Sequence, residues 1–331
     1  SGGSYAAGTV VTLTATPNPI ASRKYEYDTD FDYWSGDAGG TSTSTTVTMN
    51  SNKSVTANFV RNYWERRALL VGVGDYMYVG PDLNAPPYDM MRMDSTLEYS
   101  EFGSAHKHFL HISLLSDTIA TKQRILDNIS STFSAADYND VSYFYFSGHG
   151  VYGYICPTDS LTDSYSNDIS VQDLENALGA IPGYKVVLLD CCYSGKFIDK
   201  SPEEVTSFDL ALFNENVIDV FSNSNSRDLA DHGDEFQVLT ACTKYQLSVE
   251  FSGGGIEPYG LFTKTLCQGI GYDDWFLADS DIEGNGDTQV SLHEAHFYVV
   301  YNIEGNIPPP YVLEQDIRIH PWGSEFVIAD N

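Results

Sequence analysis

Two short apolar segments that each end in a reactive residue set the strongest limit on the fold of this chain. Residues 141–146 read VSYFYF and residues 185–189 read KVVLL, and both are rich in β-branched and aromatic side chains. Such runs are typical of strands buried on both faces of a parallel sheet. The first run leads into SGHG at 147–150 and the second into DCC at 190–192. Because the carboxyl ends of parallel strands meet at one sheet edge, we expect these two short sequences to lie close together.

An alternation of strand-like and helix-like segments extends along most of the chain. Strands are predicted at 66–73, 109–115, 141–146, 185–190 and 236–241, and helices at 88–98, 121–133, 171–178, 260–269 and 292–301. This order predicts an α/β fold with a mainly parallel sheet and helices on both faces. The segment 196–235 lacks clean periodicity and is rich in Ser, Asn and Asp, which predicts a long surface loop.

A cysteine and a histidine at one sheet edge are the parts of a nucleophilic hydrolase. A thiol with an ordinary pKa is mostly protonated at neutral pH, so an enzyme that uses it needs a base beside it. His149 is the predicted base, and either Cys191 or Cys192 is the nucleophile. Gly148 and Gly150 are predicted to let the backbone bend sharply around the histidine, and a glycine amide can approach a substrate carbonyl closely enough to hold an oxyanion.

These sequences resemble a known family. SGHG at 147–150 and DCCYSG at 190–195 are similar to the two catalytic motifs of caspases and metacaspases, which are cysteine peptidases. Other segments resemble that family's first strand and turn, its first helix, a later strand and the start of a later helix, at 67–76, 83–97, 238–242 and 259–263. The resemblance implies a caspase-like mainly parallel sheet flanked by helices.

The resemblance also implies which residues react. The family places its nucleophile two residues after the aspartate, which selects Cys192 and leaves Cys191 as a packing residue. In the implied cysteine endopeptidase, the thiolate of Cys192 attacks the peptide carbonyl and His149 protonates the leaving amine. The amides of Gly150 and Cys192 then hold the oxyanion. This chemistry requires no cofactor.

The charge of the implied substrate pocket predicts which residue precedes the cleaved bond. In metacaspase-like enzymes the positions of Ser147 and Asp190 line the pocket for the residue before the scissile bond, so the resemblance implies an acidic pocket that takes Arg or Lys. A carboxylate in a cleft poor in water binds a guanidinium or ammonium group rather than an anion. Glu250 lies where relatives carry further pocket residues, and it is a candidate second carboxylate. The alternative for Glu250 is an ordinary solvated side chain.

The sequence leaves two alternative functions open. CYSG at 192–195 also resembles the legumain motif, whose enzymes cleave after Asn, although the aspartate at 190 favours the metacaspase side. The second alternative is a surface protein that keeps the protease fold, binds peptides and has no activity. Retention of both the histidine and the cysteine favours an enzyme.

Composition limits the partners. Seventeen Lys and Arg residues against forty-six Asp and Glu give a net charge of −29, which would repel the phosphate backbone of a nucleic acid. No apolar run is long enough to predict a transmembrane segment. Five cysteines, an odd number with one adjacent pair, favour free thiols over a disulfide framework. The predicted partners are peptide or protein substrates with basic residues, and no oligomeric state is predicted.

The first sixty residues differ from the rest of the chain in their sequence pattern. Apolar residues alternate with threonine at 11–16 and 46–49, which is typical of sheets with one solvated face. We therefore predict a small β-rich domain at 1–60 and a caspase-like peptidase domain at 61–331.

This β-rich domain resembles the internalin-type B-repeat, through the segments at 8–17, 33–37 and 47–59. That repeat is a β-grasp-like module of bacterial surface and secreted proteins. The resemblance implies a bacterial protein that is secreted or held at the cell surface.

The acidic segment before the last predicted helix resembles an EF-hand calcium loop. Glu283, Asn285, Asp287, the Gln289 carbonyl and Glu294 fall at positions 1, 3, 5, 7 and 12 of such a loop. Glutamate at the first position, and threonine at 288 where glycine is usual, depart from the pattern. The alternative is a solvated acidic turn that caps the helix. Calcium is the ion that the sequence predicts, with a capped turn as the equal alternative.

Overall fold

The chain folds as two units, Ser1–Trp64 and Glu65–Asn331. The structure is a computed structural model, and it describes residues 3–16, 27–100, 109, 111–151, 153–193, 207–224, 235–243, 257–272, 277–281, 283–303 and 315–330.

The described residues of the first unit form two antiparallel strand pairs. Its strands are β1 (Val10–Thr14), β2 (Tyr27–Gly36), β3 (Ser44–Thr48) and β4 (Val55–Tyr63). Strand β1 pairs with β3, and β2 pairs with β4. Exposed and partly buried residues alternate along β1, as the threonine pattern predicts, and Trp34 and Val47 are buried. The ring of Phe31 packs against the rings of Trp34 and Phe59.

The second unit holds the remaining elements. Its strands are β5 (Arg66–Gly72), β6 (His111–Ser116), β7 (Val141–Val151), β8 (Tyr154–Ile155), β9 (Ile169–Ser170), β10 (Tyr184–Tyr193), β11 (Phe236–Thr243), β12 (Gln289–Ser291), β13 (Gln315–His320) and β14 (Val327–Asp330). Its helices are α1 (Ala85–Tyr99), α2 (Lys122–Thr132), α3 (Val171–Gly179), α4 (Ser207–Ser222), α5 (Leu261–Ile270), α6 (Leu277–Ser280) and α7 (Leu292–Asn302). No helix within the described ranges is long and apolar enough to cross a bilayer.

The central sheet has the order β13-β11-β10-β7-β5-β6. Strands β11, β10, β7, β5 and β6 run parallel, and β13 joins the edge antiparallel to β11. Strand β8 pairs antiparallel with the end of β7, and β12 pairs with β14 in a separate small sheet. The predicted α/β fold with a mainly parallel sheet is confirmed.

Alternate residues of β7 pack on the two faces of the sheet. Phe144 and Phe146 join one apolar cluster with residues of α2, α3 and α4. The side chain of Tyr145 lies on the other face, where its hydroxyl is 2.7 Å from the hydroxyl of Thr263 on α5. Helix α5 packs with α1 and α7 on that face. Because successive side chains of a strand point to opposite faces, one apolar run stabilises both layers.

The prediction of a surface loop over 196–235 is wrong for its middle part, which forms α4. Phe213, Val217 and Phe221 are four residues apart and buried in the core cluster. The sequence of α4 is apolar on other sides as well, which hides the helical period. Burial against the sheet therefore forms a helix that periodicity alone does not reveal.

Candidate active site

The two motifs lie on neighbouring parallel strands, in register. Strand β7 carries SGHG at 147–150, and β10 ends with DCCY at 190–193. The pairing sets Ser147 opposite Asp190 and His149 opposite Cys192. The structure therefore brings the backbones of the predicted base and nucleophile side by side at one sheet edge.

The glycines around His149 do not bend the chain, contrary to the sequence prediction. Strand β7 continues without interruption to Val151. A Cβ on Gly148 would lie 3.0 Å from the hydroxyl oxygen of Tyr76, and a Cβ on Gly150 would lie 2.9 Å from the Cβ of Cys191. Glycine is needed at these positions because neighbouring groups approach the strand closely.

Hydrogen bonds decide which ring nitrogen of His149 carries the proton. Its Nε2 lies 2.8 Å from the carbonyl oxygen of Pro81. A carbonyl oxygen can only accept, so Nε2 carries the proton and Nδ1 is the basic nitrogen. The backbone carbonyl of His149 accepts from the amide of Cys156 at 3.0 Å. Ring and backbone are thus both held.

Burial keeps this imidazole neutral. It lowers the pKa of His149 to about 4, while the Pro81 carbonyl and the charge of Asp82 act in the opposite direction. At neutral pH the ring is therefore uncharged and able to accept a proton.

Two buried carboxyl groups lie beside the histidine strand. Asp190 accepts hydrogen bonds from the amide and hydroxyl of Thr263 at 3.2 and 2.7 Å. Asp89 of α1 accepts from the amide of Gly260 at 2.8 Å through both of its oxygens. The hydroxyl of Ser147 donates to Asp89 at 3.4 Å. The start of α5 thus covers both acids. Asp89 is 0% exposed to solvent and Asp190 is 1% exposed.

The pKa values of both acids are raised above their usual range. Burial raises the pKa of Asp89 well above its usual range, and the charge of Asp190 raises it further. Burial also raises the pKa of Asp190, and the hydrogen bonds from Thr263 partly offset that rise. The guanidinium of Arg92, 3.3 Å from Asp89, opposes the rise at Asp89.

Sequence reasoning missed Asp89 and Pro81 as site residues. Asp89 precedes Met93 by one helical turn on the buried face of α1, and a charged residue on an apolar helix face is a signal that could have found it. Pro81 acts through its backbone carbonyl, which no side-chain pattern reveals.

Two known protein families match this chain. The family described as the caspase domain matches residues 65–283. The chain belongs to the caspase-domain family. A divergent InlB B-repeat domain matches residues 1–63. The predicted resemblance to caspase-like cysteine peptidases with an N-terminal B-repeat is therefore confirmed.

Two solved structures match this chain at low sequence identity. Protein GSU0716 from Geobacter sulfurreducens is 19% identical, with a TM-score of 0.41, over 77% of this chain and 93% of that chain. A structure of pro-sf-caspase-1 is 13% identical, with a TM-score of 0.44, over 77% of this chain and 86% of that chain. The search of curated proteins finds no match.

Among the described side chains, Cys156, Cys191 and Cys267 are buried cysteines that form no disulfide. Burial raises the pKa of Cys156 well above its usual range and that of Cys267 to about 12. Cys191 lies in the same apolar cluster as Phe213. Thiols that stay protonated and buried are poor nucleophiles.

The other predicted site residues are Glu250 and the candidate calcium ligands. Glu250 lies outside the described residues. The predicted calcium residues, Glu283, Asn285, Asp287, Gln289 and Glu294, lie in and after the loop between α6 and α7. No group of three or more His, Cys, Asp or Glu side chains in the described ranges is placed to hold a metal ion.

Hydrogen bonds shape the acidic loop as a capped turn. The Glu294 carboxylate accepts from the amides of Ser291 and Asn285, at 2.8 and 3.0 Å, and forms a capping box with Ser291. Asp287 accepts from the amide of Gln289 at 3.0 Å. These contacts satisfy backbone donors at a helix start. They favour the turn alternative, and calcium binding stays a prediction.

Proposed function

We propose that the caspase domain is a cysteine endopeptidase with Cys192 as nucleophile and His149 as base. The observation that carries the proposal is the register of β7 and β10, which sets these two residues opposite each other. Cys191 is a poor alternative, because it is fully buried in the apolar cluster on the α4 side of the sheet. The neutral imidazole with a basic Nδ1 supplies the required proton acceptor.

The proposed reaction follows from the held tautomer of His149. The thiol of Cys192 gives its proton to Nδ1, and the sulfur attacks the peptide carbonyl carbon. The resulting imidazolium keeps its Nε2 proton on the Pro81 carbonyl, which stabilises the positive charge, and it donates the Nδ1 proton to the leaving amine. The amides of Gly150 and Cys192 hold the oxyanion, and water hydrolyses the thioester.

We further propose that the enzyme cleaves after Arg or Lys. The acid pair Asp89 and Asp190 supplies two buried carboxyl groups at Ser147, two residues before His149 on β7. A basic side chain donates to oxygens of these carboxylates while the amides of Gly260 and Thr263 and the guanidinium of Arg92 keep their contacts. Each carboxylate oxygen can accept more than one hydrogen bond, so the added donors of a guanidinium or ammonium group find acceptors. Glu250 is a further candidate in this pocket.

Peptide cleavage tests both proposals. Fluorogenic peptides that differ only in the residue before the scissile bond, which is Arg, Lys, Asn or Asp, are incubated with wild type, Cys192→Ala and the matched control Cys191→Ala. We expect cleavage of the Arg and Lys peptides, loss of turnover in Cys192→Ala, and turnover that persists in Cys191→Ala. A Cys192→Ala variant as active as wild type would refute the nucleophile.

The same assay separates the alternatives. Cleavage of the Asn peptide alone would support a legumain-like enzyme. No cleavage of any peptide by wild type, together with peptide binding by calorimetry, would support an inactive binding protein.

We also propose that the protein is bacterial and acts outside the cytoplasm. The InlB B-repeat domain at 1–63 supports this location. Fractionation of the source cells into medium, surface and cytoplasm, followed by immunoblotting, tests it. Protein found only in the cytoplasm would contradict the proposal.

A further inference from the structure

We propose that Tyr76 is a positioning residue for His149, an inference that rests on the proposed peptidase function. Tyr76 lies in the loop between β5 and α1 and is buried. Its hydroxyl oxygen accepts the hydrogen bond of the His149 amide at 2.7 Å. Its ring packs on the imidazole, with 4.8 Å between ring centroids and 35° between planes. One side chain therefore holds both the backbone and the ring of the proposed base.

The hydroxyl contact satisfies a donor that is out of reach of water. His149 is 1% exposed, so its amide needs an acceptor within the protein. Glycine at position 148 leaves room for this hydroxyl, since a Cβ there would lie 3.0 Å from the hydroxyl oxygen, a tight contact. The hydroxyl of Tyr76 thus lies in the space beside Gly148, where it holds the amide of His149.

The loop that carries Tyr76 is itself braced. The amides of Gly74 and Asp75 donate to the carboxylate of Asp117 at 2.9 and 3.0 Å. Asp117 has a φ of 45°, in the left-handed region that Asp tolerates better than most residues. The amide of Tyr76 donates to Asp82 at 3.1 Å. These contacts fix the loop before any substrate binds.

Hydrogen bonds also connect this loop to the turn after β8. The amide of Met77 donates to the carbonyl of Thr158 at 2.8 Å, and the hydroxyl of Thr158 donates to the carbonyl of Asp75 at 2.7 Å. The same loop supplies the Pro81 carbonyl that orients Nε2. One braced segment therefore contacts His149 at its amide, at its ring face and at its ring nitrogen.

Two substitutions separate the contributions of Tyr76. Tyr76→Phe keeps the ring and removes the acceptor, so kcat should fall about tenfold with KM changed by less than about twofold. Tyr76→Leu also removes the ring from the imidazole. We expect a further loss of kcat of about tenfold and a shift of the acidic limb of the kcat/KM profile towards higher pH, because water then reaches the imidazole.

The matched control is Tyr78→Phe, which makes the same change in the same loop at an exposed position. We expect wild-type kinetics in this control. A purely structural role for Tyr76 would lower the melting temperature and leave kcat per folded molecule and the pH profile unchanged. That result would overturn the proposal.

A readout without turnover keeps this inference separate from the peptidase proposal. The rate of Cys192 alkylation by iodoacetamide against pH, followed by intact mass, and the NMR titration of His149 are measured for wild type and both Tyr76 variants. If wild type cleaves no peptide, the peptidase proposal fails, while a shifted His149 titration in Tyr76→Leu still supports positioning. Titration and alkylation identical to wild type in both folded variants would refute it.

Discussion

The carboxyl groups of Asp89 and Asp190 face the same point of the backbone at Gly260. A Cβ on this glycine would lie 2.5 Å from an oxygen of Asp89 and 2.8 Å from an oxygen of Asp190. The two acids are a hundred residues apart in the chain, on helix α1 and strand β10, and they meet under the first turn of α5. The caspase domain thus keeps two buried acids at Ser147, two residues before His149 on β7.

Removing one charge from this pair should weaken the binding of basic substrates. For Asp190→Asn we expect KM for an Arg peptide to rise by about tenfold or more, because a charge-assisted contact is lost. The fluorogenic Arg peptide provides the measurement. The control Asp127→Asn makes the same change at an exposed position on α2 and should leave KM unaltered. An unchanged KM in Asp190→Asn would argue against the acidic pocket.

Stability should fall in acid because of His149. Its pKa is lowered from 6.5 to about 4, so between these values the unfolded chain binds a proton that the folded chain does not. Above pH 6.5 the buried neutral imidazole does not lower the free energy of unfolding. As the pH falls from 6.5 to about 4, the free energy of unfolding decreases by on the order of 3 kcal/mol because of this group.

The variant His149→Gln removes this contribution to the pH dependence. Urea unfolding at several pH values should show a smaller loss of stability between pH 6.5 and 4 than in wild type. His111→Gln, at an exposed position, should behave as wild type. Equal acid sensitivity of His149→Gln and wild type would show that the imidazole is not buried in solution.

Gly260→Ala should disrupt the cover of the acid pair. The added Cβ has no room between the oxygens of Asp89 and Asp190, so the start of α5 must move and their hydrogen bonds weaken. We expect a loss of about 1–3 kcal/mol in the free energy of unfolding, measured with urea. Gly39→Ala has open space around its Cβ and serves as the control. A Gly260→Ala protein as stable as wild type would mean that this turn adapts freely.

The acidic loop before α7 should behave as a capped turn. Glu294→Ala leaves the amides of Ser291 and Asn285 without their acceptor, so the free energy of unfolding should fall by about 1–3 kcal/mol. The control Glu283→Ala changes an exposed residue and should cost little.

Calcium provides the contrasting outcome for this loop. Thermal unfolding in EDTA and in calcium should give the same melting temperature for wild type and both variants. A rise with calcium in wild type that Glu283→Ala abolishes would instead establish the calcium loop.

Much of the fold follows from local patterns. The apolar runs at 141–146 and 185–189 predict buried parallel strands, and β7 and β10 contain them. The structure extends both strands into the reactive motifs, because pairing between neighbours continues beyond the apolar residues. Helix α4 was not predicted, since its apolar residues are not confined to one face and only the sheet decides which of them is buried.

Local patterns in the sequence place a histidine between glycines after one buried strand and a cysteine after the next predicted strand. The groups that surround these two residues are set by how the layers of the domain pack. Asp89, Tyr76 and the Pro81 carbonyl reach the site from segments remote in the chain. Their roles depend on distance and burial, which arise when the layers pack and water is excluded, and no local pattern encodes those quantities.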